Sequence, residues 1–251
     1  MDWHEIRQEC AVKYSVSPEI HDADLLLQFV LKHAAFPEPA QAIRYYFSDG
    51  AESAGKLQEI ITRNTPSRPV GRRYSLLEFA SGYGMVTRHL GGVLEAADIV
   101  SCDIHEQAVD FIRTTLHARA QISRHVPEEL SFDAQFDVVF ALSFFSHMPE
   151  ATFGRWLKAL FHAVAPGGLL VFTTHGLASQ KAFGDIVIPD TGFCFIANSE
   201  QDDLSAAEYG SAITTPDYVI GELFRMVRAP IREFKHAYWW GHQDLYVIEK
   251  V

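Results

Sequence analysis

The sequence predicts an α/β protein built on a doubly wound, mostly parallel sheet of seven strands, of which the last is antiparallel. Helices are expected on both faces of this sheet, and a helical cap is expected before it. Two observations lead to this fold class. From residue 74 onward, apolar runs alternate with helix-spaced segments, as they do when helices connect parallel strands. Each run is almost continuously apolar, which indicates strands that are buried on both faces.

The N-terminal region is predicted to be helical. Residues 17–63 show no strand alternation, and apolar side chains recur at helical spacing in the segments 24–32, 40–47 and 54–62. The stretch NTPSRPVG at 64–71 has the composition of a linker. We therefore expect a helical cap over residues 1–70 and a second domain over residues 71–251.

The second domain is predicted to alternate strands with helices. Its first five strands are expected at 74–79, 99–103, 120–123, 136–142 and 169–174, with helices at 85–94, 106–118 and 151–163. Thr215-Pro216-Asp217 offers a capping hydroxyl and a proline in the first turn, so a helix is expected over 218–227. The last two strands are expected at 231–238 and 244–249.

A long stretch, residues 176–215, lies between the fifth predicted strand and this last helix. It is too long for an ordinary connection in a compact domain, which predicts a lid or a binding insertion. We expect its Phe193, Phe195 and Tyr209 to cover a ligand. The later turn Tyr238-Trp-Trp-Gly-His242 brings further aromatic side chains toward the same edge of the sheet, where they either bind a ligand or pack in the core.

Composition limits the class of partner. The net charge of −11 argues against binding to nucleic acid or to an anionic membrane surface. Three widely spaced cysteines without a CxxC motif suggest neither a disulfide framework nor a zinc site, and favour a reducing, cytoplasmic setting. No apolar run approaches the length that spans a bilayer. None of these features indicates an oligomeric state.

The stretch LLEFASGYGMVTRHL at 76–90 predicts a ligand-binding turn between the first strand and its helix. Glycines at 82 and 84 let the backbone approach a ligand closely, beside N–H groups at a helix start. Asp103 ends the second strand, 19 residues (103 − 84) after Gly84. In a doubly wound sheet an acid at that distance lies beside the first turn, where it binds ribose hydroxyls. The pair predicts a nucleotide-like cofactor.

The same turn departs from two phosphate-binding motifs. A dinucleotide site would place a third glycine at position 87, where the sequence has Thr87. No Gly-Lys-Ser or Gly-Lys-Thr follows, so a P-loop is excluded. An NAD(P)-dependent oxidoreductase is therefore disfavoured but stays open as an alternative, as does a non-catalytic module that binds a cofactor to regulate a partner.

Three segments together resemble class I S-adenosylmethionine-dependent methyltransferases: EFASGYG at 78–84 with Asp103, FDVVFALSFFSHMP at 136–149, and LFHAVAPGGLLVFTTHG at 160–176. The resemblance implies S-adenosylmethionine as cofactor. It implies that Asp103 binds the ribose, with Ile104 beside the adenine. The residues that it places around the methionine portion and the sulfonium are Glu78 (at the amino end), Ala80, Ser81, Gly82, Gly84, Leu142 and Ser143. The family usually has glycine where Ala80 stands.

The methyl acceptor is expected to be a small molecule, with a sugar or another hydroxylated metabolite favoured by the aromatic and histidine content of the acceptor edge. Transfer to a hydroxyl needs a base near its proton. His147 follows the fourth predicted strand and His175 ends the fifth, so these two are the candidate catalytic residues. Histidine and acidic residues show no convincing ligand spacing, and no metal is expected.

Overall fold

A computed structural model describes residues 3–65, 73–94, 97–184, 186–198 and 204–251 of the protein. The chain divides into two compact units, residues 1–123 and 124–251. The predicted boundary between residues 70 and 71 lies outside the described residues, so the division into a cap and a second domain stays a prediction. Within the described ranges, no helix combines the length and the apolar character needed to cross a bilayer.

The first unit begins with three helices: α1 (Trp3–Tyr14), α2 (Leu25–Lys32) and α3 (Pro39–Asn64). The segments 40–47 and 54–62, predicted as two helices, form the single helix α3. Gly50 lies within this helix, and its lack of a side chain allows close packing against a neighbouring segment. A Cβ atom at Gly50 would lie 2.3 Å from the carbonyl oxygen of Met85, so only glycine allows α3 to approach the turn that follows the first strand.

The first unit continues with the predicted alternation: β1 (Tyr74–Phe79), α4 (Thr87–Val93), β2 (Ala97–Asp103), α5 (Glu106–Thr114) and β3 (Arg119–Ile122). β2 pairs in parallel with both β1 and β3. The register pairs Phe79 with Cys102 and Asp103 with Ile122. Since β1 and β2 end side by side, the glycine turn that follows β1 lies next to Asp103.

The described residues of the second unit form six strands and two α-helices. In chain order these are β4 (Phe136–Ala141), α6 (Glu150–Ala163), β5 (Val164–His175), β6 (Phe193–Ile196), β7 (Ser211–Thr214), α7 (Pro216–Met226), β8 (Ile231–Trp239) and β9 (Gln243–Glu249). The Thr215 hydroxyl caps α7 by accepting the Tyr218 N–H at 3.3 Å, and Pro216 opens the helix. The helix start predicted at this position is confirmed.

Strand pairing in the second unit explains where the last turn lies. β5 pairs in parallel with β4 and antiparallel with β9, and β8 pairs antiparallel with β9. β8 therefore runs parallel to β5, and the β8–β9 turn lies at the carboxyl end of β5, where His175 pairs with Gln243. The antiparallel last strand is confirmed.

The predicted α/β class with a mostly parallel sheet and flanking helices is confirmed, but the count of seven strands is wrong. The described ranges hold nine strands. The two additional ones, β6 and β7, pair antiparallel inside the stretch predicted as an insertion. β7 also joins β5, through the pairing of His175 with Ile213. Strands of only four residues show too little alternation to be predicted.

Candidate cofactor and acceptor sites

The glycine turn after β1 has a left-handed backbone at three positions, with φ of +58° at Ala80, +53° at Gly82 and +81° at Gly84. Such angles disfavour any side chain, which accounts for the glycine that the resemblance leads us to expect where Ala80 stands. The two glycines differ in their surroundings. A Cβ atom at Gly84 would lie 2.6 Å from Leu116 Cδ1, whereas a Cβ at Gly82 would meet no atom within 4 Å. Gly84 serves packing, and Gly82 leaves the backbone open to a ligand.

The Asp103 carboxylate holds this turn in place. Its Oδ2 accepts the Gly82 N–H at 2.7 Å, and its Oδ1 accepts both the backbone N–H and the ring Nδ1 of His105, at 3.0 and 2.7 Å. A carboxylate has about four acceptor directions, so Oδ2 keeps one for a ribose hydroxyl. Contact with both ribose hydroxyls requires one of the His105 contacts to open.

The backbone N–H groups of the turn are less available than the sequence suggested. Gly82 N–H is bound to Asp103, Ser81 N–H donates to the Cys102 carbonyl, and Gly84 N–H donates to the Ser81 carbonyl, the last two at 3.1 Å. The Ser81 hydroxyl differs, since its oxygen is buried without a hydrogen-bond partner among the described residues. A buried hydroxyl in that state costs free energy until a partner arrives. Together with the open side of Gly82, this fits a polar ligand at the turn.

Glu78 lies at the end of β1 and is buried, with 4% of its surface exposed. Its Oε2 accepts the Thr87 hydroxyl at 2.6 Å and the Ser101 hydroxyl at 3.0 Å. Burial raises the pKa of Glu78 to about 7, and the Asp103 charge acts in the same direction, while the two hydroxyls oppose it. Its predicted contact with the amino end of a cofactor stays a prediction.

The other predicted cofactor residues lie directly beyond strand ends. Ile104 follows Asp103 and is half-buried. Leu142 and Ser143 follow β4 and are also half-buried, and Ser143 has a φ of +58°. Their contacts with a cofactor stay predictions.

A closed hydrogen-bond network holds Ser143. Ser143 N–H donates to Thr173 Oγ1 at 2.8 Å, that hydroxyl donates to Gln243 Oε1 at 2.6 Å, and Gln243 Nε2 donates back to Ser143 Oγ at 2.8 Å. Ser143 Oγ also lies 2.9 Å from Ser146 Oγ. Because Thr173 lies on β5 and Gln243 on β9, the loop that leads from β4 to His147 is fixed to the sheet.

His147 is held by the segment that precedes β7. Its ring Nδ1 lies 2.8 Å from the Gly210 carbonyl oxygen, and the Tyr209 ring stacks on it with centroids 4.5 Å apart. A carbonyl only accepts hydrogen bonds, so Nδ1 carries the hydrogen and Nε2 presents a lone pair. Burial lowers the pKa of His147 to about 4. The ring is therefore neutral near pH 7.

His175 lies at the end of β5 with its ring centroid 6.1 Å from that of His147 and 5.7 Å from that of His242. Burial, with smaller contributions from these two histidines, lowers the pKa of His175 to about 3. The structure thus brings the two candidate catalytic residues together and adds His242, from the β8–β9 turn. No cluster of three or more His, Cys, Asp or Glu side chains in the described ranges is arranged to hold a metal ion.

Two aromatic residues that were candidates for covering a ligand belong to the core. Phe193 is buried against Phe153 and Tyr218. Trp239 is completely buried and packs on Phe140. The sequence could not separate these rings from Tyr209, because aromatic residues serve both packing and binding.

Several polar residues at the site escaped the sequence analysis. Thr87 was considered only as a missing glycine, and Ser101, His105, Thr173 and Gln243 were not considered. Thr87 begins α4, and the other four lie on a strand or just beyond a strand end, where a polar residue in an apolar run is the one feature that could have revealed them.

Residues 77–170 match the family described as "Methyltransferase domain". Curated protein sequences give no significant match. Streptomyces venezuelae DesVI superposes with a TM-score of 0.62 at 16% identity over 93% of this chain and 100% of that one. An S-adenosylmethionine-dependent methyltransferase from Clostridium acetobutylicum ATCC 824 gives 0.57 at 13% identity over 81% and 91%. The sugar N-methyltransferase KedS8 from Streptoalloteichus sp ATCC 53650 gives 0.56 at 18% identity over 82% and 90%.

The fold and the glycine turn with its acid define a methyltransferase that uses S-adenosylmethionine as its cofactor. Residues 77–170 match a methyltransferase domain, and the solved structures show that the fold is shared with S-adenosylmethionine-dependent methyltransferases. The oxidoreductase alternative is not favoured. At these low identities the solved structures establish the fold, while the acceptor has to be argued from the side chains.

Proposed function

We propose that this enzyme methylates a hydroxyl group of a small polyhydroxylated molecule, such as a sugar, with His147 as the general base. S-adenosylmethionine supplies an activated methyl group for an in-line displacement, so positioning provides much of the acceleration. The observation that carries the proposal is the state of His147. Its Nδ1–H is bound to the Gly210 carbonyl at 2.8 Å, which leaves Nε2 as a lone pair that can accept a hydroxyl proton.

The first unit supplies the residues proposed to hold the cofactor. Asp103 Oδ2 accepts a ribose hydroxyl, and Ile104 lies beside the adenine. The open side of Gly82 and the Ser81 hydroxyl receive the methionine portion, with Glu78 at its amino end and Ala80 and Gly84 shaping the turn. Leu142 and Ser143, which follow β4, are the residues that the resemblance to the family implies beside the sulfonium. The network through Thr173 and Gln243 keeps Ser143 in position.

A sugar-like acceptor is supported by the surroundings of His147. The Tyr209 ring covers one face of the imidazole, and rings beside hydrogen-bonding nitrogens suit a ligand with an apolar face and polar edges. The similar fold of a sugar N-methyltransferase is compatible with a sugar acceptor. It also makes an amino group the competing methylation site, so the experiment needs both kinds of acceptor.

The pH dependence separates His147 from an ordinary histidine. With a pKa of about 4, His147 stays neutral to well below pH 6. With S-adenosylmethionine saturating, we therefore expect kcat/KM for the acceptor to hold between pH 8 and pH 5.5, whereas a base with the ordinary histidine pKa of about 6.5 would lose roughly tenfold over that range. Initial rates after a pH jump make this measurement before any acid unfolding develops.

The proposal is tested by methyl transfer to methyl glycosides and to their amino-deoxy counterparts, with S-adenosylhomocysteine release as the readout. We expect transfer to hydroxyl acceptors, and His147→Ala should lower turnover by about 10²–10⁴-fold, the usual effect of losing a positioned base. S-adenosylhomocysteine affinity should stay unchanged. His125→Ala, which removes an exposed histidine, is the matched control. Transfer to amines alone, or full activity of His147→Ala, would refute the proposal.

A further inference from the structure

Three histidines of the second unit lie in a row, which we call the histidine row: His147, His175 and His242. Neighbouring ring centroids are 6.1 and 5.7 Å apart. Tyr209 stacks on His147 at one end with centroids 4.5 Å apart, and Trp240 stacks on His242 at the other end at 6.1 Å. The row combines the loop after β4, the end of β5 and the β8–β9 turn, so it is built by the fold and not by one local motif.

The two outer rings each donate their N–H to the protein itself. His147 Nδ1 donates to the Gly210 carbonyl. The Ser179 hydroxyl donates its hydrogen to the His242 carbonyl at 2.8 Å, so it accepts from His242 Nδ1, which lies 3.0 Å away. A neutral imidazole has one donor and one acceptor nitrogen. Each outer ring therefore presents Nε2 as a bare acceptor.

The central ring reaches the same state through the other tautomer. The Ala212 backbone opposes the effect of burial by raising the pKa of the His175 ring, as a carbonyl acceptor does. His175 Nδ1 is buried and has no hydrogen-bond partner among the described residues, which assigns the hydrogen to Nε2. Only 9% of the His175 surface is exposed, so the unpaired Nδ1 is destabilising until a donor binds it.

The row carries no charge at neutral pH. Burial lowers the pKa of all three histidines. Among the described residues, His147 and His242 also lower the pKa of His175, and no other side chain shifts the pKa of a histidine in the row. An acceptor with a positive charge would therefore face three neutral rings, without a carboxylate of the row to stabilise it.

We infer that the histidine row is an array of hydrogen-bond acceptors for neighbouring hydroxyl groups, and that it makes the enzyme selective for acceptors with a vicinal diol. The inference rests on the proposed function, since the hydroxyl that faces His147 is the one methylated. The adjacent hydroxyl then donates to His175 Nδ1, and His242 Nε2 receives a further donor. His175 and His242 thus determine specificity without taking part in the proton transfer.

The tautomers can be tested without any acceptor. In a long-range ¹H–¹⁵N spectrum of histidine-labelled protein at pH 7, we expect His147 and His242 as neutral Nδ1–H forms and His175 as the neutral Nε2–H form. Replacing each histidine in turn assigns the signals, and the exposed His125 serves as the reference. A charged ring, or the opposite tautomer at His147 or His242, would overturn the array.

The diol selectivity is tested with methyl α-D-glucopyranoside and methyl α-L-rhamnopyranoside, together with their singly deoxygenated analogues. His175→Phe and His242→Phe keep a ring but remove the acceptor nitrogen, and His125→Phe is the control. We expect His175→Phe to lower kcat/KM for a diol about ten- to hundredfold. Removing the adjacent hydroxyl should cost the wild type a similar factor, and the two losses should not add, since both remove the same hydrogen bond.

Binding provides a readout that does not depend on turnover. With S-adenosylhomocysteine present, the diol should move the His175 Nδ1 resonance, and the analogue without the adjacent hydroxyl should not. If diol and deoxy acceptors react equally well, the array is refuted while the proposed function stands. If no hydroxyl acceptor binds or reacts, both are refuted. Additive losses would show that His175 acts elsewhere and would overturn the inference.

Discussion

The buried Glu78 carboxyl makes the free energy of unfolding depend on pH in a direction that a variant can isolate. Its pKa is about 7 in the native state against the ordinary 4.5. Between these values the native state binds the proton and the unfolded state does not, so stability falls as pH rises from 4.5 to 7. The native pKa lies about 2.5 above the ordinary one, and this difference corresponds to roughly 3 kcal/mol of unfolding free energy. That contribution is lost in full above pH 7.

The perturbation is Glu78→Gln. The amide oxygen can still accept the hydroxyls of Thr87 and Ser101, but the side chain no longer ionises. We expect the stability of the variant relative to wild type to rise by roughly 2.5 kcal/mol between pH 5 and pH 8. The comparison must be relative, because His89, with a pKa lowered to about 4 by burial, makes stability rise with pH over part of the same range.

The assay is urea unfolding at closely spaced pH values, with the linear dependence on urea giving the free energy at each. Glu59→Gln, which makes the same substitution at an exposed carboxyl, is the matched control. A flat difference for Glu78→Gln would refute the raised pKa. Calorimetry adds a test of the cofactor role: if an ammonium binds beside Glu78, S-adenosylhomocysteine should release a fraction of a proton near pH 6.5.

Three further predictions concern the glycine turn. Asp103→Ala should weaken S-adenosylhomocysteine binding by about 1.5–3 kcal/mol and lower the melting temperature, since it removes charge-assisted hydrogen bonds and leaves the Gly82 N–H without its acceptor. An unchanged calorimetric affinity in a folded variant would show that Asp103 does not belong to the site. Gly82→Val should abolish binding, because the added side chain points into the open side of the turn; normal binding would contradict this role. Ala80→Gly should stabilise the protein by up to about 1 kcal/mol by relieving a left-handed φ, and a lower melting temperature would contradict the strain argument.

The sequence predicted those parts of the fold that repeat a local pattern. Continuous apolar runs located the principal strands of both units, and the Thr215-Pro216 pair located the start of α7. What it missed depends on tertiary contacts. The sequence suggested separate helices at 40–47 and 54–62, but they form the single helix α3, in which Gly50 leaves room for the Met85 carbonyl. The short strands β6 and β7 form because each pairs with the other, not because either segment has strong strand propensity.

The site shows the same division. The spacing of Gly84 and Asp103 predicted their neighbourhood, because parallel pairing of β1 and β2 converts that spacing into adjacency. The tautomers of the histidines could not be predicted. They depend on the Gly210 carbonyl and the Ser179 hydroxyl, which are distant in sequence from the rings they hold. The role of Tyr209 likewise follows from its stacking on His147, and not from its being aromatic.

Thr87 stands where a dinucleotide-binding motif has its third glycine, and its hydroxyl has a structural role in the glycine turn. The buried Glu78 carboxyl accepts two hydroxyl hydrogen bonds, and a glycine at position 87 would leave it with the one from Ser101. With Thr87, that carboxyl receives both donors, and the two hydroxyls also lie 3.1 Å from each other. A buried acid is tolerated only where its acceptors are satisfied. The buried Glu78 carboxyl near the end of β1 and the Thr87 hydroxyl at the start of α4 therefore depend on each other. Where a dinucleotide site has a third glycine that allows close helix–strand packing, this protein has a threonine that satisfies a buried carboxyl beside the glycine turn.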